Sequence, residues 1–188
     1  LGDVYKRQER CISGGTGCGV VYLSGCDMHC AYCLVYEISQ KGAGTPATPR
    51  QLADLLLSLG QRGVSHISLA NVEPSAGEVV EAINIAREKG LAIPLLNNFN
   101  GYAPAALTRR LLPYFQGYIM DFKYADAALG ERLSAAPAYP ARAVENLALL
   151  SSHYGPNRYD ENSLLQSGVL LRHLILPCLL YTSPSPRD

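Results

Sequence analysis

The sequence has no excess of charge of either sign and no long hydrophobic run. Its 188 residues include 16 basic and 16 acidic side chains, so the formal net charge is zero. Because no basic cluster appears, composition gives no reason to expect binding to nucleic acid or to a charged membrane surface. No apolar stretch reaches the roughly 18 residues that a membrane-spanning helix needs. The hydrophobic content of 48% is nevertheless enough for a core.

Cysteine is missing from most of the chain. Five of the six cysteines lie between Cys11 and Cys33, and the sixth is Cys178. A disulfide framework spreads its cysteines along a chain, whereas a metal site concentrates them. The distribution therefore argues against a disulfide-stapled domain and favours metal binding.

The two ends of the chain share an unusual relation at the level of DNA. LGDVYKRQ at residues 1–8 and CLLYTSPSPRD at residues 178–188 can be back-translated into strings that are largely reverse complements. These strings resemble the adapter of transposase-based sequencing libraries; a native tail rich in serine and proline is the alternative. We expect residues 1–8 and 178–188 to be adapter-derived, and residues 9–177 to be part of one domain truncated at both ends.

Short apolar runs alternate with helical periods. Strands are predicted at residues 20–24, 66–70, 92–97, 118–122 and 169–176. Between them, Thr48, Pro49 and Gln51 start one helix through a capping box, Ser75 and Glu78 start another, and residues 105–112 and 141–153 continue the pattern. This order predicts an α/β fold with a parallel sheet, as a partial (β/α) barrel or an open sheet. In such folds functional residues gather at the carboxyl ends of the strands.

The most specific motif is C-x3-C-x2-C, formed by Cys26, Cys30 and Cys33 after the first predicted strand. Four-iron clusters usually take four thiolates. Three cysteines on one loop would hold three irons and leave the fourth iron open to a ligand. Zinc with His29 as fourth ligand is the competing interpretation, but structural zinc sites usually use two separated pairs. Cysteines without a metal are the third alternative.

At these residues the sequence resembles the radical S-adenosylmethionine superfamily, and Tyr32 fits the aromatic that usually lies near the adenine. Five further strings resemble pyruvate formate-lyase activating proteins: YLSGC at 22–26, YEIS at 36–39, DFKYAD at 121–126, APAYP at 136–140 and RHLILP at 172–177. The resemblance covers nearly all of residues 14–177. It implies a partial barrel of the radical S-adenosylmethionine type in a cytoplasmic enzyme.

The same resemblance implies two cofactors, a 4Fe–4S cluster and S-adenosylmethionine, which is cleaved to a 5′-deoxyadenosyl radical. It further implies a glycyl-radical enzyme as the substrate and an electron donor such as flavodoxin or ferredoxin, with no nucleic acid or membrane partner. Two alternatives stay open. One is a radical enzyme that modifies a peptide or small molecule, and the other is a non-catalytic iron–sulfur or zinc module.

The resemblance also implies which residues of this sequence contact the cofactor. The superfamily's Gly-Gly-Glu-Pro-like turn corresponds to residues 71–74, where Glu73 matches but Val72 cannot easily adopt a positive φ. Glu73 is thus a cofactor contact or a carboxylate at the start of a helix. In the turn that resembles Asn-x-x-Gly-Tyr, Asn97 or Asn98 reaches the ribose or carboxylate of the cofactor, or closes an Asx turn.

Basic residues are expected at two further strands. Asp121 and Lys123 match the Asp-x-Lys motif of glycyl-radical activating enzymes, and Arg172 matches an arginine that helps to hold the cofactor. The resemblance implies that Lys123 pairs with the cofactor carboxylate; an Asp–Lys surface pair is the alternative. His173 is a weaker candidate, and Cys11 and Cys18 are expected to be free thiols.

Overall fold

A single sheet with parallel strands at its centre organises the protein. The computed structural model describes the backbone of residues 2–5 and the whole of residues 9–176. The strand order in the sheet is β1-β2-β3-β4-β5-β7-β6. Strands β2, β3, β4, β5 and β7 are parallel neighbours, whereas β1 and β6 pair antiparallel at the edges. The strands are β1 Gly2–Tyr5, β2 Cys18–Tyr22, β3 His66–Ala70, β4 Leu95–Phe99, β5 Gly117–Phe122, β6 Arg158–Tyr159 and β7 Leu165–His173.

Helices connect the parallel strands. They are α1 Arg10–Ser13, α2 Tyr36–Ser39, α3 Pro49–Gln61, α4 Ala76–Glu88, α5 Ala105–Leu111, α6 Ala127–Ser134 and α7 Tyr139–Tyr154. Within the part of the chain that the structure describes, no helix is long and apolar enough to cross a membrane. The predicted α/β fold with a largely parallel sheet is confirmed, and the sheet is open, as in a partial (β/α) barrel.

The buried side chains form two groups. The larger group joins the helices to the sheet and includes Leu56, Leu69 and Phe99. The smaller group contains residues of α1 and of four strands, among them Val20, Leu96 and Ile119. Neighbouring positions of β4, such as 95 and 96, fall in different groups, because side chains alternate between the faces of a strand.

The first long helix starts as predicted. The Thr48 side chain accepts a hydrogen bond from the backbone N–H of Gln51, and the Gln51 side chain accepts one from the backbone N–H of Thr48 at 2.8 Å. Pro49 occupies the first turn, where its missing N–H leaves no bond unmade. The helix continues through Gly60 and ends at Gln61.

Several predicted boundaries were wrong. Glu73–Ser75 form a 3₁₀ turn, and α4 begins at Ala76 without a capping bond from Ser75. Strand β2 begins and ends two residues earlier than predicted. Strand β4 starts after Pro94, which cannot donate to a ladder, so Asn97 and Asn98 lie inside the strand. Strand β7 ends at His173, and residues 177–188 with Cys178 lie outside the described residues.

Candidate metal centre

The loop with the three motif cysteines follows β2 at the carboxyl edge of the sheet. Its backbone is fixed to the end of α6: the N–H of His29 donates to the carbonyl of Ser134 at 2.9 Å, and the N–H of Ala31 donates to the carbonyl of Leu133 at 2.8 Å. Helix α6 ends there because Ala135 adopts a left-handed conformation, with φ 51°. The free carbonyl groups at a helix end thereby obtain donors from the cysteine loop.

All three motif cysteines line one cavity of about 510 Å³. This size lies within the range of about 300–1,000 Å³ that is usual for small-molecule sites. Of the six predicted cofactor contacts, five also line it: Tyr32, Asn98, Asp121, Lys123 and Arg172. The structure therefore brings these side chains together with the cysteines, from strands that are distant in sequence.

Each motif cysteine has a neutral hydrogen-bond donor within reach of its sulfur. Nδ2 of Asn100 donates to Sγ of Cys26 at 3.5 Å, and Oγ of Ser134 donates to Sγ of Cys30 at 3.0 Å. The hydroxyl of Ser39 lies 3.2 Å from Sγ of Cys33. Donors of this kind stabilise thiolates, the form in which cysteine binds metals.

Burial, and next the charge of Asp27, raise the pKa of the Cys26 thiol above its ordinary value. A bound metal reverses this balance, because a coordinating thiol is deprotonated outright. Asp27 is held in place by Asn100, whose Nδ2 donates to its Oδ1 at 2.6 Å. Asn100 thus contacts two successive residues of the cysteine loop.

The arrangement of the thiols bears on the choice between zinc and a cluster. In the described residues, no three His, Cys, Asp or Glu side chains are grouped so as to hold a single metal ion. A zinc site requires its ligands to meet around one ion, whereas in a 4Fe–4S cluster the cysteines bind different irons. The three thiols line one cavity, an arrangement that suits ligands binding different irons.

The wall of the same cavity also carries an ionic group. Nζ of Lys123 lies 2.7 Å from Oδ2 of Asp121, and Arg172 lies 2.9 Å from Oδ1 of the same carboxylate. Nη2 of Arg172 also donates to Oδ1 of Asn98 at 2.7 Å. The Asp–Lys pair, which was the predicted alternative to a cofactor contact by Lys123, is therefore present. It lies at the wall of the cavity. Two cations share one carboxylate, so this group carries a surplus positive charge.

Tyr139 and Gly101 fix the strand ends that carry this ionic group. The hydroxyl of Tyr139 accepts from the N–H of Lys123 at 3.0 Å and faces the carbonyls of Asp121 and Asn100 at 2.7 and 2.9 Å. Gly101 has φ 84°, and a Cβ there would lie 2.9 Å from the Asp121 carbonyl oxygen. A side chain at this position is excluded both by backbone conformation and by space.

Glu73 lies elsewhere and does not line the cavity. Its Oε1 accepts a hydrogen bond from Nδ2 of Asn97 at 2.9 Å. Although part of the residue's surface is accessible, protein atoms surround the carboxyl group, and this burial raises its pKa to about 7. Its role as a cofactor contact stays a prediction.

The turn before Glu73 differs from a glycine turn, as expected. Val72 keeps φ −66°, and the positive φ of 61° falls on Asn71, a residue type that tolerates this conformation. Nδ2 of Asn71 donates to the carbonyl of Leu23 at 3.1 Å, and the residue lines the cavity. The turn is therefore closed by an asparagine in place of a glycine.

Sequence reasoning missed Asn100, Ser39, Tyr124 and Ser134. Tyr124 bonds to the hydroxyl of Tyr32 and lies 2.7 Å from Oγ of Ser134. Tyr124 stands just after β5 within the quoted DFKYAD string, which was a usable signal. Ser134 is 104 residues from Cys30, and nothing local marks it.

Three cysteines line a ligand-sized cavity at the carboxyl edge of an α/β sheet, and they form a candidate metal centre. The family model described as 4Fe-4S single cluster domain matches residues 13–128. The chain belongs to this family, and the predicted 4Fe–4S cofactor is supported. No curated protein matches the chain.

Proposed function

We propose that the protein is a radical S-adenosylmethionine enzyme in which Cys26, Cys30 and Cys33 hold the 4Fe–4S cluster. The observation that carries this proposal is a shared cavity: the three thiols and the group of Asp121, Lys123 and Arg172 line the same space. When bound, the cluster and S-adenosylmethionine supply one-electron cleavage of the sulfonium to a 5′-deoxyadenosyl radical.

The basic residues suit the amino-acid end of the cofactor. Its carboxylate would share Lys123 and Arg172 with Asp121, and the surplus positive charge of that group would balance it. Charge-assisted hydrogen bonds of this kind contribute about 1.5–3 kcal/mol each. Asp121 would keep both cations in place before the ligand arrives, which limits the ordering that binding requires.

Tyr32 suits the adenine end. It lies next to Cys33 in sequence and lines the cavity, while its hydroxyl bonds to Tyr124. Burial, then the bond with Tyr124, raise the pKa of the Tyr32 hydroxyl above its ordinary value. The hydroxyl therefore stays protonated at neutral pH, and the ring is held in one orientation for stacking.

For the substrate, we propose a glycyl residue of a partner enzyme, with flavodoxin or ferredoxin as electron donor. The proposal is supported by the likeness to activating proteins, since Asp121 and Lys123 of the Asp-x-Lys match both line the cavity. Leu34 and Leu174 line it too and are exposed, which offers apolar contact to an incoming peptide segment.

Cofactor cleavage tests the proposal. After anaerobic reconstitution with iron and sulfide, the protein should release 5′-deoxyadenosine from S-adenosylmethionine in the presence of dithionite. A radical signal on an added glycyl-radical enzyme, detected by electron paramagnetic resonance, would establish the substrate. Release of 5′-deoxyadenosine without that signal would favour a peptide or small-molecule substrate. An intact cluster without any release would indicate a non-catalytic module.

A further inference from the structure

We propose that three hydroxyl groups, those of Tyr32, Tyr124 and Ser134, form a hydrogen-bonded relay that sets the reduction potential of the cluster through Cys30. The inference rests on the proposed ligation of the cluster by the motif cysteines. It concerns a property that the ligands alone do not determine, namely how easily the cluster accepts an electron.

The relay is continuous and mostly buried. The Tyr32 hydroxyl bonds to that of Tyr124. The Tyr124 hydroxyl lies 2.7 Å from Oγ of Ser134, which lies 3.0 Å from Sγ of Cys30. Tyr124 and Ser134 are 2% and 0% exposed, so water does not compete for these bonds.

A metal-bound thiolate fixes the direction of every hydrogen in the relay. The sulfur of Cys30 can then only accept, so Ser134 must donate to it. Oγ of Ser134 in turn accepts from Tyr124, and the Tyr124 hydroxyl accepts from Tyr32. Each donor is thereby polarised by the next one, and such chains strengthen their terminal bond.

The position of Ser134 is also fixed by the backbone. Its carbonyl accepts from the N–H of His29, and the adjacent Leu133 carbonyl accepts from that of Ala31. The serine is therefore held against the cysteine loop independently of its hydroxyl. Replacing the hydroxyl by hydrogen should leave the loop in place and remove only the bond to sulfur.

A hydrogen bond to a ligating sulfur stabilises the more negatively charged, reduced cluster and raises the potential. Removing the donor should make the cluster harder to reduce. The other end of the relay, Tyr32, lines the cavity. A ligand that stacks on this ring is thus connected to the cluster by three hydrogen bonds.

The test is a redox titration of the reconstituted cluster in Ser134→Ala. Electron paramagnetic resonance monitors the reduced cluster, and no S-adenosylmethionine is added. At a fixed potential, the ratio of reduced to oxidised cluster should fall roughly tenfold, which is about 59 mV for one electron. Tyr124→Phe should shift the ratio in the same direction by less, because Ser134 still donates. Ser152→Ala, at an exposed position of α7, is the matched control and should not change it.

The outcomes separate this inference from the proposed function. A wild-type protein that takes up no cluster would refute the proposed ligands. A wild-type cluster whose potential is unchanged in Ser134→Ala would overturn the relay alone. If Ser134→Ala assembles no cluster, the Tyr124→Phe variant takes its place in the test. A cluster with the wild-type reduction potential in Tyr124→Phe would then overturn the relay.

Discussion

The two edges of the sheet carry cysteines with different hydrogen-bond partners. At the amino edge, Cys18 is fully buried, its Sγ donates to the carbonyl of Gly19 at 3.3 Å, and burial raises its pKa to about 12. At the carboxyl edge, the sulfurs of Cys26 and Cys30 accept hydrogen bonds from the side chains of Asn100 and Ser134, and the Cys26 thiol also donates to Oδ1 of Asp27 at 3.9 Å. A side-chain amide or hydroxyl that donates to the sulfur, more than the presence of cysteine, distinguishes the candidate ligands Cys26 and Cys30 from the structural thiol.

The same contrast holds for the other polar groups at the two edges. At the amino edge, both ring nitrogens of the buried His66 face backbone carbonyls, of Ile12 at 2.9 Å and of Leu165 at 2.6 Å. The His66 ring thereby joins β3 to α1 and β7. At the carboxyl edge, Lys123 and Arg172 face a cavity. We therefore expect the amino edge to serve stability and the carboxyl edge to serve chemistry.

Cysteine variants give the largest expected effect. Alanine at Cys26, Cys30 or Cys33 should abolish uptake of about four irons per chain, because each removes one of only three ligands. Alanine at Cys11 or Cys18 should leave iron uptake unchanged. Iron and sulfide analysis after reconstitution measures both. If the Cys18 variant kept its fold but lost the cluster, this would contradict the assignment of Cys18 as a structural thiol.

His66→Phe tests the amino edge. The change removes the ring N–H that donates to a buried carbonyl group, so the free energy of unfolding should fall by about 1–3 kcal/mol. Denaturant titration measures the loss. Iron uptake per folded chain should not change. A variant as stable as the wild type would show that the His66 contacts contribute little.

Lys123→Ala and Arg172→Ala test the carboxyl edge. Each should keep the cluster but lose about 1.5–3 kcal/mol of cofactor binding, a factor of roughly ten to one hundred in affinity. The rate of 5′-deoxyadenosine release at limiting cofactor measures the loss. Lys89→Ala, which breaks an exposed ion pair with Asp54, is the control. Wild-type affinity in both cavity variants would contradict the assigned roles.

Glu73→Gln gives the smallest expected effect on the cavity, because it acts only through the pH dependence of stability. Because burial raises the pKa of Glu73 to about 7 from 4.5, the folded wild-type protein binds more protons than the unfolded chain between these values. Its stability contribution is therefore full below pH 4.5 and is lost as pH rises through 7. The two pKa values put this loss at about 3 kcal/mol at most between pH 4.5 and 8, and the glutamine variant should lack it. Unfolding curves from pH 4.5 to 8 measure the difference, and parallel pH profiles would contradict it.

Local patterns predicted the parts of the structure that depend on neighbours in sequence. The capping box at Thr48 and the strand at His66–Ala70 were found because a few adjacent residues determine them. Asn97 and Asn98 were expected after a strand because asparagine favours turns. In the structure both lie inside β4, where the side chain of Asn97 is hydrogen-bonded to Glu73 and that of Asn98 to Arg172.

The candidate site was predicted in part for the same reason. The cysteine spacing and the Asp-x-Lys string are local and were recognised. The donors to the sulfurs were not, since Asn100 and Ser134 are 74 and 104 residues from the cysteines they contact. No periodicity or composition marks a pair at such a distance.

The attachment of the cysteine loop to the end of α6 has a consequence for the order of events during synthesis. The loop leaves the ribosome about one hundred residues before Ser134, its partner in the backbone bond from His29. At about 5–20 residues per second, this interval lasts roughly 5–20 s. During that time the three thiols are exposed on an unfinished chain without their serine donor. Delivery of the cluster before α6 has docked would meet a loop whose geometry is not yet set, so we expect maturation to follow the folding of this segment.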